Sequence, residues 1–327
     1  MLIYLNFRAL SPSIIFLMLL LGIQTFFSDY SEKIISKNIV ESLDHFSKIF
    51  LIMFYLIEKK LSKRYNEKIT IPKFLLILLL CSIISSMIYN YMRIFFPSSN
   101  EEESYQIIIL TQLLFFYILD SLIFRKEIYE HQKLSILITF FLIIFNFYIN
   151  KELFFLKAII IIIFSYISSY SLLLVKYINQ NYFINIYVLA SMNGLIDSFF
   201  TLYQLINQNI IFEYINIGII ILIILNLLIN LSVYYEFYKI IIKLGPIHAF
   251  MSGAIGYSLM NIILEFQNYR KLYKIIRMLL LILSVLIYLE ILELNFCELN
   301  HNLKKRIIQR NNKEIQNIIL NNSMDDE

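Results

Sequence analysis

Apolar runs of about twenty residues follow one another along nearly the whole chain, separated by short polar breaks. An α-helix of that length crosses ~30 Å of hydrocarbon at 1.5 Å per residue. Lipid offers backbone amides no partner, so such runs fold as helices that satisfy their own hydrogen bonds. The pattern predicts an all-α fold, a polytopic transmembrane helix bundle of about 8–10 spans. Candidate spans lie near 10–27, 46–58, 72–96, 105–124, 134–149, 153–175, 182–206, 210–234, 246–264 and 273–294. Hydrophobic residues are 59% of the total and charged residues 16%, against roughly 45–50% and 25% in soluble domains. A soluble core is therefore excluded, and the lipid bilayer is the expected partner.

The second run is short, and its approach, Glu41 to Lys48, is charged, which predicts an amphipathic interfacial start. Arg8 followed by Ile14 to Gly22 has the outline of a signal peptide, but Phe26-Phe27-Ser28-Asp29 offers no small-x-small cleavage site. The segment is read as a retained first helix. Residues 1–294 form one transmembrane domain, and 295–327 a polar tail whose isoleucines, Ile307 to Ile319, allow a short surface helix. Cys81 and Cys297 are the two cysteines, and Cys81 falls inside a span, so no disulfide framework is indicated.

Loop charge orients the array. Lys59, Lys60, Lys63, Arg64 and Lys68 mark one loop as cytoplasmic, as do Arg125, Lys126 and Lys133 the next but one. Glu101, Glu102 and Glu103 lie between them in a loop without bases. Lys304, Lys305, Arg306, Arg310 and Lys313 place the tail inside. Ten spans in a bacterial-type inner (cytoplasmic) membrane, with both termini cytoplasmic, satisfy these loops. Arg270, Lys271 and Lys274 conflict with that scheme, which leaves the topology after residue 207 open. The net charge of +4 reports orientation, so no nucleic-acid partner is expected.

The soluble motif set is empty: no Walker loop, GxGxxG, HExxH or GxSxG occurs. No cofactor is named by any motif, and metal dependence stays open. Ionisable residues at membrane depth are costly, which makes them functional candidates. Those counted inside the spans or near their ends are Asp120, Asp197, His248, Glu130, Glu152 and Glu236. Asp120 reads as a snorkelling interfacial carboxylate, and Glu236 as solvated at a helix end. Asp197 lies among Ala190, Ser191, Asn193, Gly194 and Ser198, a small and polar run that either seams two helices or lines a polar cavity. His248 follows Pro246 in a first helical turn, with Gly253 and Gly256 leaving room for a close neighbour. It is either an interfacial cap or a general acid/base.

The stretch Pro246-Ile247-His248-Ala249 with Gly256-Tyr257 eight residues on resembles the histidine-bearing motif of PrsW-type intramembrane proteases. Phe183 to Phe200 has the outline of a second family motif: Tyr187, Ala190 and Gly194 match, while Phe183 and Phe199 replace its Asp and Glu. Asp197, two residues earlier, is the carboxylate on offer. For the first motif, Glu130 with Lys133 and Glu152 with Lys157 are the candidates. The resemblance spans roughly 126–264. It implies cleavage of a membrane-protein substrate by water activated between His248 and Asp197, Glu130 or Glu152. Loss of catalysis is as compatible with the replaced acids as activity.

Two other classes stand beside it. One is a transporter or lipid-linked glycan-handling protein with Asp120, Asn193 and Asp197 along a polar path. No pair of broken helices in corresponding halves supports it, and arginine is absent from the central spans. The other is a scaffold without a ligand. A protease site needs His248 and a carboxylate within a few Å, a transporter needs pseudo-symmetry, and a scaffold shows Asp197 paired and dry.

Overall fold

A computed structural model describes residues 3–5, 12–34, 37–61, 73–95, 101–124, 128–149, 155–182, 184–207, 217–266 and 272–294. Glu152, the tail 295–327 and the basic positions 63, 64, 68, 125, 126, 270 and 271 lie outside these. Eleven helices run in order: α1 (Pro12–Ile34), α2 (Lys37–Ile49), α3 (Leu51–Leu61), α4 (Lys73–Phe95), α5 (Glu101–Phe124), α6 (Glu130–Ile149), α7 (Phe155–Tyr182), α8 (Ile186–Asn207), α9 (Ile217–Lys243), α10 (Pro246–Phe266) and α11 (Leu272–Tyr288). Two short strands, β1 (Ile3–Leu5) and β2 (Leu292–Leu294), pair antiparallel with Tyr4 opposite Glu293.

The fold is an all-α helix bundle, and the chain is a multi-pass membrane protein. Among the described residues, five stretches are long and apolar enough to cross a bilayer: Pro12–Glu32, Ile107–Phe124, Glu130–Tyr148, Leu156–Tyr182 and Ile217–Lys243. Lys73–Tyr89 and Ile186–Leu202 are shorter apolar helices. The remaining helices carry polar groups that lower their apolarity: Asp44, His45 and Lys48 on α2, Ser252, Ser258 and Asn261 on α10, Lys274 and Arg277 on α11. Exposed large side chains such as Leu19, Phe141, Leu228 and Leu279 cover the outer faces of their helices, as expected where lipid is the solvent.

α2 and α3 form one rod bent at Phe50. Lys48 lies against Gly194 on α8, and Phe54 lies against Tyr187, further back along the same helix. The rod thus runs antiparallel to α8 throughout. The amphipathic approach expected ahead of the short span is the helix α2. From Ile39 to Ile49 no described α2 side chain is exposed, because its charged face finds partners on α1, α8 and α9.

Counting α2–α3 as one, the described residues form ten rods. Their packing repeats after five. α1 packs on α9 and α10, and five rods later α7 packs on α4 and α5. α2 meets α9 as α8 meets α4, and α5 meets α6 as α10 meets α11. The pairs α2–α8, α5–α10 and α6–α11 join equivalent rods. The equivalent rods α6 and α11 run in opposite directions, with Ser135 against Ser284 and Asn146 against Arg277, as do α2–α3 and α8. The match is incomplete: among the described residues α9 packs on α10 and on α8, and α7 touches α9 and α10, without comparable contacts in the first half.

Two apolar cores fill the bundle, each drawing on rods of both halves. One gathers Leu17, Leu51, Val175, Leu189 and Ile241; the other Leu113, Phe116, Leu173, Met251 and Val285. Met18 and Tyr170 pack against both.

Helix ends shift from the expected spans where charges are paired. α9 continues to Lys243 rather than stopping at 234, because Glu236 accepts from Lys239 at 2.7 Å one turn on. Glu236 is 7% exposed, so it is buried rather than solvated. Asp120 is likewise buried, at 5% exposure, and does not snorkel. Gly245 turns α9 into α10 at φ 116, and a Cβ there would meet Lys176 Nζ at 2.7 Å. Only glycine combines that conformation with that approach.

Candidate functional site

A charged cluster lies where α2 crosses α8. Lys48 Nζ donates to Asp197 Oδ2 at 3.1 Å, and Ser86 of α4 donates to Asp197 Oδ1 at 2.5 Å. His45 Nδ1 stands 3.6 Å from Asp197 Oδ2 and 3.4 Å from the Lys48 ammonium. One turn back on α2, Asp44 accepts from Tyr234 of α9 at 2.6 Å and from Gln24 of α1 at 3.3 Å. Gln24 also donates to Asn230 of α9 at 3.0 Å. The Lys48 ammonium lies 5.1 Å from the centre of the Tyr234 ring, within cation–π reach. The cluster thus gathers two carboxylates, one ammonium and one imidazole.

Local sequence explains the placement. Lys37 to Lys48 and Ile186 to Asp197 are both eleven residue steps, or about 16 Å at 1.5 Å per residue. The pair therefore sits half-way along both rods. Gly194 lets α2 in. A Cβ there would lie 2.6 Å from Lys48 Cβ and 3.1 Å from Ile49 N. Asp197, one turn further, then reaches Lys48 across a seam no larger residue permits. The helix-packing seam expected around Asp197 is thus real, and Asp197 itself makes the crossing bond. Ser191 bonds back to Tyr187 O in its own helix at 2.7 Å. Tyr187 and Ala190 are buried in the core.

The other expected site residues lie elsewhere. His248 is half-buried in the first turn of α10, and its carbonyl accepts from Ser252 at 2.6 Å. The starts of α8 and α10 share one end of the bundle, since Gly245 abuts Lys176 near the end of α7. His248 is two steps into α10 and Asp197 eleven into α8, a depth difference of about 14 Å. α10 packs on α1, α11, α9 and α5, whereas α8 packs on α2, α4, α3 and α9. Glu130 is exposed at the start of α6 and bonded to Lys133 at 2.5 Å. The structure therefore does not bring His248, Asp197 and Glu130 together; Glu152 is outside the described residues. Gly256 does leave room as expected: a Cβ would lie 2.6 Å from Met18 O of α1.

A second polar seam joins α6 to α11. Ser135, Thr139 and Ser284 bond mutually at 2.9–3.0 Å, and Tyr117 of α5 reaches Ser135 at 3.2 Å. His131 Nε2 lies 3.0 Å from Glu290. Arg277, 2% exposed, donates to Asn146 and lines a small cleft with Tyr257, Ser258 and Leu281. Among the described residues no group of three or more His, Cys, Asp and Glu side chains could hold a metal ion.

Sequence reasoning missed Asp44, His45, Lys48 and Arg277. The first three were read as the charged approach to a short span. Their spacing of i, i+1 and i+4 puts Asp44 and Lys48 on one face, and that was the available signal. No protein-family model matches the chain, and no curated protein does so.

Proposed function

We propose that the chain is a secondary transporter of the cytoplasmic membrane that works by alternating access between its two inverted halves. The observation that carries this is the packing that recurs after five rods in reversed direction, with the Lys48–Asp197 pair at the crossing of equivalent rods. Inverted repeats with a charged site at the midplane of their interface are the architecture of many such transporters. Two halves of opposite orientation can exchange roles, which is how inverted repeats provide one arrangement open to each side. In this reading both ends are cytoplasmic: β1 and β2 lie together, and the end of α3 carries Lys59 and Lys60.

The geometry favours this over a PrsW-like peptidase acting on a membrane-protein substrate. Asp197 and Glu130, two carboxylates proposed for His248, are bonded to Lys48 and Lys133 instead.

The test places a single cysteine at Met18, between the two cores, in a Cys81→Ser/Cys297→Ser background. A membrane-impermeant maleimide reaches it from either face in a transporter that alternates. Labelling from neither face removes this reading and leaves a scaffold.

A further inference from the structure

We infer that Asp44 is the anionic ligand of an alkali-cation site between α1, α2 and α9, and that this cation couples the two halves. The site stands on its own contacts; the coupling role rests on the transporter reading above. Gln24 and Asn230 lie near the middles of two membrane-crossing stretches, twelve steps into α1 and thirteen into α9. The Gln24 amide nitrogen donates to Asn230 Oδ1 at 3.0 Å and to Asp44 Oδ1 at 3.3 Å. Two oxygens from different helices thus converge on one point, which the amide hydrogens hold. Gln24 Oε1 accepts no hydrogen bond among the described residues. Turning the amide over brings Oε1 to that point in place of nitrogen. Three oxygens facing one another then need a cation between them.

The correspondence of the halves shows which carboxylate lacks its cation. α2 meets α9 as α8 meets α4, and each pair makes one carboxylate–hydroxyl bond. Asp44 accepts from Tyr234 at 2.6 Å, and Asp197 from Ser86 at 2.5 Å. On the α8 side the carboxylate also has the Lys48 ammonium at 3.1 Å. On the α2 side Asp44 accepts only from neutral donors, the Tyr234 hydroxyl and the Gln24 amide. Lys48 is committed to Asp197, and Asp44 makes no ion pair among the described residues. A carboxylate at that depth without a cation is costly. Joining the helices by polar bonds would need only the two amides.

The donor set selects the class of ion. One carboxylate among neutral oxygens balances one positive charge, whereas calcium commonly collects several carboxylates and zinc or copper favours imidazole or thiolate. The rod that carries Asp44 bends at Phe50, six steps on, where the Met53 amide turns back to the Phe50 carbonyl at 3.0 Å. Broken helices beside ion sites recur in inverted-repeat transporters. Gln24 and Asp44 belong to the first half, Asn230 and Tyr234 to the second. A cation bound by both ties α1 and α2 to α9, and its loss loosens that boundary.

The experiment uses the full chain in nanodiscs and reads the melting temperature. Sodium, lithium or potassium chloride replaces N-methylglucamine chloride at constant ionic strength and pH. The expected result is a saturable rise with at least one alkali cation, following the occupancy of a single site. Asp44→Asn abolishes the rise. Tyr234→Phe removes a bond to the ligating carboxylate and weakens binding by about 10–100-fold. Ser232→Ala, exposed on the same helix, leaves it unchanged. Equal melting in all four chlorides overturns the site, as does a cation response that survives in Asp44→Asn. If Asp44→Asn does not fold, Asn230→Leu decides the point, and an unaltered response there overturns the site. The cation is also expected to shift the ratio of Met18 labelling between the two faces; a ratio indifferent to it overturns the coupling. No cation response with Met18 labelled from both faces removes the site and keeps the transporter. A response with labelling from neither face keeps the site and removes the transporter.

Discussion

The Lys48 ammonium and the Asp197 carboxylate meet at 3.1 Å, each eleven steps from the start of its helix. Side chains of both are below a fifth exposed. Breaking such a pair from one side leaves a buried charge without compensation, at a cost of about 3–5 kcal/mol. Lys48→Met is therefore expected to lower the melting temperature in detergent sharply. Lys48→Met with Asp197→Leu removes both charges and is expected to recover most of the loss. A double variant that melts at the sum of the single losses shows the two residues to be uncoupled.

Gly194 and Gly218 make a matched contrast. A Cβ at Gly194 meets Lys48 Cβ at 2.6 Å and Ile49 N at 3.1 Å, so backbone has to move. Gly194→Ala is expected to cost about 1–3 kcal/mol and to loosen the Asp197 contact. Gly218 has nothing within 4 Å, and Gly218→Ala gains up to about 1 kcal/mol of helix propensity. Thermal unfolding of the two variants is expected to move in opposite directions.

How much of this was legible depends on distance along the chain. The helices and the glycine seams were readable, because apolar length and small residues are local properties. The turn at Gly245-Pro246 was readable for the same reason. The partner of Asp197 was not, since Lys48 lies 149 residues away in a segment whose charges suit a membrane surface equally well. Nor was the repeat, because it resides in which rods pack together, and the two halves satisfy the same packing with unrelated apolar side chains. His248 drew attention through its neighbours in sequence, yet position on a rod decided which groups it could meet.

The α1–α10 seam supplies a second contrast. At Gly256 a Cβ would lie 2.6 Å from Met18 O and 3.1 Å from Leu21 Cβ, whereas at Gly253 it would lie 3.5 Å from Leu21 Cδ1. Gly256→Ala is expected to destabilise by about 1–3 kcal/mol, while Gly253→Ala is tolerated. Equal losses in the two variants, measured by unfolding in the same detergent, are incompatible with α1 lying against Gly256.

The two chain ends give the most direct check on the rod count. Tyr4 and Glu293 are opposite one another in the antiparallel β1–β2 pair, where Cα atoms stand about 4.5–5.5 Å apart. That separation lies within the ~4.4–6.8 Å range of disulfides. Tyr4→Cys/Glu293→Cys, with Cys81 and Cys297 replaced by serine, is expected to cross-link on mild oxidation and to migrate faster on non-reducing gels. An even number of alternating rods brings the ends to one face, and an odd number sends them to opposite faces. The cross-link forms only in the first case. Its absence, with both cysteines shown reactive toward maleimide, would place one rod differently and with it dissolve the five-and-five correspondence on which alternating access rests.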